Sequence, residues 1–126
     1  MSSSEGLLHG LACAPGVGRG RLRIVRLPQA AAELQPGEVL LVPTAAPLWV
    51  RCFHNASAIV SPMGGQLCKC ATYARIYGLP AVFGVGEAIW TLHNGQLVEV
   101  DGTMGTIRLL GDFDSEVTRA LRPNVY

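Results

Sequence analysis

The chain is 126 residues long, 49% apolar and carries a formal net charge of +1. This fits one domain with a sizeable core, and the sparse, scattered basic residues exclude the footprint of a nucleic-acid-binding protein. No apolar run reaches the roughly 18 residues of a membrane helix and "MSSSEGLLHG" lacks the features of a signal peptide, so a cytoplasmic protein with reduced Cys13, Cys52, Cys68 and Cys70 is expected.

Residues 1–9 read as a disordered or peripheral N-terminus, and "CAPGVGRG" as a turn-rich segment. "RLRIVRL" alternates and predicts a strand whose solvent face carries Arg19, Arg21 and Arg23, with Leu22 and Ile24 facing inward. "PQAAAEL" is a connector or one helical turn, and "QPGEVLLVP" a turn followed by a buried strand. "TAAPLWVRCFHNA" places Pro47 in the first turn of a short helix through Val50 and Phe53, and "SAIVS" is too short for anything but a strand.

Next, "PMGG" leads into a helix from about Leu67 to Tyr77, which Gly78 terminates and Pro80 keeps from resuming. "PAVFGVG" predicts a strand, "EAIWTLH" a short helix or turn, and "NGQLVEVDG" and "MGTIRLL" two more strands. From residue 111 a peripheral tail with a short amphipathic piece, "SEVTRAL", is expected. The mixture makes the fold α/β in one domain, with Trp49, Phe83 and Trp90 assigned to its core.

A strand that ends in small residues and glycines before a helix is a physical recipe for holding an anion. The first-turn N–H groups have no intrahelical partner and the macrodipole is positive at that end. Gly64 and Gly65 let a ligand approach the main chain, and Ser61 offers a hydroxyl to the same pocket. Cys68 and Cys70 lie two apart, on nearly opposite sides of a helix, so they do not form one chelating face and no metal site is expected. One of them is expected to be buried as a small apolar residue, the other to lie beside the helix start.

The order Ala-Ile-Val-Ser, two residues, Gly-Gly, a helix containing Ala74-Arg75, then Gly78-Leu79-Pro80-Ala-Val resembles the phosphoenolpyruvate-utilising enzyme mobile domain, the swivelling phosphohistidine domain of dikinases and synthases. "ACAPGVGRGRLRIV", "GEVLLVPTAAPLW" and "NGQLVEVDGTMGTIRLL" extend the resemblance over residues 10–110. It implies a single compact swivelling β/β/α domain and a carrier histidine at the start of the helix after the glycine pair. Aligned through Gly64-Gly65, Ala74-Arg75 and Gly78-Leu79-Pro80, that histidine falls on Lys69, with Cys68 before it. The family's signature arginine falls on Arg75, kept as an anion-binding candidate beside the reading of a surface or packing residue.

Lysine, with a reference pKa near 10.4, stays protonated at neutral pH and is a poor nucleophile toward phosphorus. A cation at a helix N-terminus is disfavoured by roughly 0.3–1 kcal/mol, less than one pKa unit. The ordinary phosphohistidine relay is therefore not expected. His9, His54 and His93 all fall away from the helix start.

Three readings of the position stay open. Lys69 is solvated or holds a phosphate-like anion in a module that has lost catalysis; Lys69 is a neutralised amine forming an acyl or Schiff-base adduct; or Cys68 or Cys70 accepts a phosphoryl group. The reading favoured from sequence is a stand-alone accessory or regulatory module docking on a partner of a phosphoenolpyruvate- or ATP-utilising system, without cofactor, nucleic acid or membrane, and not catalytic by itself. The alternative is a carrier subunit of a phosphotransfer or group-transfer system, using Lys69 or Cys68 as acceptor.

Overall fold

A computed structural model describes residues 6–111, apart from the side chains of residues 28 and 31. The expected amphipathic piece at residues 115–121 lies outside the described residues. The strands are β1 (Leu7–His9), β2 (Leu11–Ala14), β3 (Val17–Ile24), β4 (Glu38–Leu41), β5 (Ala56–Val60), β6 (Ala81–Phe83), β7 (Leu97–Asp101) and β8 (Thr106–Gly111). Among the described residues one α-helix, α1 (Lys69–Tyr77), and short 3-10 helices at Pro28–Glu33, Pro47–Cys52 and Glu87–Thr91 join them. The domain is thus mixed α/β, and no helix among the described residues is long and apolar enough to cross a membrane.

The strands run in the order β1-β8-β7-β3-β4-β5-β6-β2. β3, β4, β5 and β6 are mutually parallel and the remaining pairs antiparallel. The two outermost strands are consecutive in the chain, separated only by Gly10. The run from Leu7 to Ala14 therefore pairs with β8 through its first half and with β6 through its second, which closes the sheet on itself. Neither strand was legible as such: residues 7–9 read as peripheral, and "CAPGVGRG" turns only around Pro15-Gly16 before β3 begins at Val17.

Closure creates two apolar layers. Leu22, Val39, Leu41, Val60, Val82, Val98, Val100 and Ile107 fill one of them. Leu40, Ile59 and Phe83 belong to the other, with Trp49 and Phe53 around the Pro47–Cys52 helix and Cys70, Ala71 and Ala74 from α1. Strands packed on both faces read as continuous apolar runs, which is why "EVLL" and "SAIV" show no alternation. Parallel neighbours need crossovers, and the Pro28–Glu33, Pro47–Cys52 and α1 segments supply them.

β3 turns its arginines outward, as its alternation predicts, and each has a local partner. Arg19 Nε meets Glu99 Oε2 at 2.6 Å, and Arg23 donates twice to Glu38, at 2.9 and 3.1 Å. Arg21 donates to the Gly95 carbonyl, and Arg26 lies 4.3 Å from the centroid of a Trp90 ring. Trp49 and Phe83 are buried, whereas Trp90, expected in the core, is half-buried with Arg26 above it.

Candidate functional site

β5 ends at Val60, and the next eight residues form the loop that delivers the chain to α1. Ser61 is fully buried, and its hydroxyl accepts the Met63 N–H at 3.1 Å, so this side chain shapes the first turn of the loop. Gly64 follows at φ +97°, and a Cβ there would lie 2.6 Å from the Ala45 Cβ, so both backbone angle and space require glycine. Gly65 has an ordinary φ and open surroundings apart from Leu11.

The helix starts two residues later than its sequence pattern predicts. Gly65 to Cys68 form a separate turn, closed by the Cys68 N–H on the Gly65 carbonyl at 3.3 Å. Gln66 in that turn donates to the Ala12 carbonyl on β2 at 3.0 Å, and Leu67 points outward with 95% of its surface exposed. The first helical bond runs from the Thr72 N–H to the Cys68 carbonyl at 3.2 Å. Cys68 is therefore the N-cap residue and Lys69 the first helical one.

Cys68 makes no side-chain capping bond. The N–H groups of Lys69, Cys70 and Ala71 accordingly find no acceptor among the described residues. Lys69 is exposed, and its ammonium makes no hydrogen bond or ion pair with them. Cys70 and Ala71 are fully buried, so the exposed Lys69 with its ammonium is what this helix end, positive by its macrodipole, presents to negative charge. At the other end Gly78 sits at φ +70°, with its N–H on Arg75 and the Leu79 N–H on Ala74 at 2.8 Å, a Schellman stop.

Arg75 reaches back toward the helix start, as long helical side chains do. Its Nη1 donates to the carbonyls of Cys13 at 2.7 Å and Gln66 at 3.2 Å, and Nη2 to Thr72 Oγ1 at 3.3 Å. The guanidinium ties α1 to β2 and to the loop while adding positive charge near the loop. Sequence reasoning missed Gln66 and Thr72, which share this positioning; their bonds carry no motif.

The two cysteines of the Cys-x-Cys differ sharply. Cys70 is fully buried, and burial, reinforced by Cys68 and Cys13 nearby, pushes its thiol up to about 12. Cys68 keeps partial exposure at the N-cap. Burial also raises the Cys13 and Cys52 thiols. Among the described residues no cluster of three or more His, Cys, Asp or Glu is placed to hold a metal ion. His9 lies on β1, His54 beyond the Pro47–Cys52 helix, and His93 before β7, so none belongs to the loop or to α1.

Around this helix end exposed apolar side chains gather on segments that meet at the loop. Met63 and Leu67 come from the loop itself and Leu11 from β2 beneath Gly65. Chemically, the site offers an ammonium unpaired among the described residues at the positive end of a helix, with exposed apolar side chains on the loop and β2.

A family model described as the PEP-utilising enzyme mobile domain matches residues 34–105. The chondramide synthase cmdD of Chondromyces crocatus is 40% identical over 109 residues, covering 86% of this chain and 3% of that protein. The phosphoenolpyruvate synthase of Aeropyrum pernix is 39% identical over 104 residues, covering 82% of this chain and 13% of that one. The chain therefore spans a small fraction of the curated relatives it matches. Among solved structures, aconitase X of Thermococcus kodakaraensis superposes with a TM-score of 0.63 at 20% identity, over 82% of this chain and 98% of that one, a likeness of fold.

Proposed function

Because the chain belongs to the family of phosphoenolpyruvate-utilising enzyme mobile domains, we propose that it serves as an accessory or regulatory module, docking its α1 amino end on a partner enzyme and holding a phosphate-like anion there without carrying phosphate covalently. Lys69 takes the position of the family's phosphoacceptor histidine in this reading. One observation carries it: the first residue of α1 is an exposed lysine without a partner among the described residues, at a helix end whose first-turn amides have no acceptor there, and none of the three histidines belongs to that helix or its loop.

A protonated amine attracts an oxyanion but does not attack phosphorus, so the arrangement supports retention over transfer. Ser61, Gly64 and Gly65 shape the loop, and Arg75 holds it against β2. Leu11, Met63 and Leu67 supply apolar area that a docked surface would remove from water.

Cys68 supports a second reading, that of a carrier, because its partly exposed thiol stands at the N-cap of the same helix end. Intact-mass measurement separates the two after incubation with a phosphoenolpyruvate synthase, phosphoenolpyruvate and ATP. The accessory reading expects an unmodified chain. It also expects amide shifts at Lys69, Cys70 and Ala71 on titration with inorganic phosphate, weakened by Lys69→Ala. A phosphoryl or acyl increment abolished by Cys68→Ser or Lys69→Ala would make the domain a carrier and end the accessory reading.

A further inference from the structure

A cleft of about 300 Å³ opens between the Pro28–Glu33 and Pro47–Cys52 helices and has no residue in common with the α1 loop. Gln29 lines one side, and Arg51, His54 and Asn55 line the other, with Ala32 and Leu34 as apolar wall. We propose that this cleft is a second binding site, for a small organic oxyanion: a phosphate monoester or carboxylate on a short carbon skeleton.

Four observations carry this. First, Arg51, His54, Gln29 and Asn55 make no side-chain hydrogen bond or ion pair with the described residues, in contrast to Arg19, Arg23 and Arg75. Their polar side chains line the cleft without an internal acceptor among the described residues. Second, no carboxylate lines it. Glu33 lies between two lining residues in the chain but does not itself line the cleft. Cys52 contributes a thiol whose ionisation burial opposes, so it does not repel an anion at neutral pH.

Third, the framework is fixed. The Asn55 N–H donates to Cys52 at 3.2 Å and its carbonyl accepts the Gly37 N–H at 2.8 Å, while Cys52 is buried in the core. Fourth, the volume sits at the lower end of ligand pockets, larger than a bare oxyanion needs, and Ala32 and Leu34 offer the surplus wall to carbon. A guanidinium, an imidazole and two carboxamides around such a space match oxyanion chemistry, and the planar guanidinium fits phosphate and carboxylate alike.

The experiment is an amide-shift titration of the 15N-labelled chain with glycerol 3-phosphate and, separately, succinate. Sodium chloride at matched ionic strength and glycerol serve as controls. Saturable shifts at Gln29 and from Arg51 to Asn55 with either anion are expected, the better of the two naming the source chemistry. Arg51→Gln should weaken binding about tenfold or more, the loss of a charge-assisted hydrogen bond. Gln29→Ala should weaken it from the opposite wall, and Lys69→Ala should leave it unchanged. Absence of saturation with both anions, equal shifts with chloride, or binding indifferent to both Arg51→Gln and Gln29→Ala would overturn the proposal. Shifts at residues 69 to 71 report on the α1 site alone, so the two sites stand or fall separately.

Discussion

Two neighbouring side chains on α1 show how position sets chemistry. Lys69 stands exposed at a helix end where a cation is disfavoured, so it adds nothing to the stability of that end. Cys70, one residue on, is sealed in the core beneath the helix, and its proton is held up to about pH 12 instead of 9.0. A proton bound more tightly in the folded state makes stability complete below the ordinary thiol range and erodes it as pH climbs from 9.0 toward that raised value. Urea unfolding at about pH 8 and about pH 10.5 should therefore show a loss of stability on the alkaline side that is smaller in Cys70→Ala. An identical alkaline loss in the variant would place the titrating group elsewhere.

At the scale of elements, the loop from Ser61 to Cys68 is held from three sides: Ala45 presses on Gly64, Gln66 bonds β2, and Arg75 spans both. Gly64→Ala meets a left-handed φ and a 2.6 Å clash with the Ala45 Cβ together. It should cost about 1–3 kcal/mol in chemical denaturation. It should also disturb the amides of Lys69 to Ala71, whereas Gly65→Ala, in open space at an ordinary φ, should do neither. The glycine pair and the Gly78 stop were legible because each is written in adjacent residues. The strands "EVLL" and "SAIV" were legible for the same reason. The Arg75 and Gln66 bonds were not, because their acceptors on Cys13 and Ala12 lie 62 and 54 residues away. The separate turn at Gly65 to Cys68 escaped because Leu67 continues the apolar pattern of a helix while standing exposed.

The whole molecule depends on a junction that local patterning does not reveal. "LLHGLACA" has neither alternation nor a turn signal, yet it joins both edges of the sheet, and its partners β6 and β8 come about seventy to a hundred residues later. Gly10 is the pivot. Its N–H donates to the Gly105 carbonyl at 2.8 Å, and a Cβ there would lie 2.7 Å from the Phe83 carbonyl and 2.8 Å from side-chain carbons of Val82 and Val85. Backbone cannot yield as a flexible side chain does, so Gly10→Ala should cost about 1–3 kcal/mol. The distribution of that loss is the informative part. If β1 and β2 close the sheet, hydrogen exchange should quicken in β6, β7 and β8 together, because Val82, Val98, Val100 and Ile107 share one apolar layer. Faster exchange confined to Leu7–His9, with β6 as protected as before, would mean that the closing run is only an appendage and that the remaining sheet holds its layers unaided.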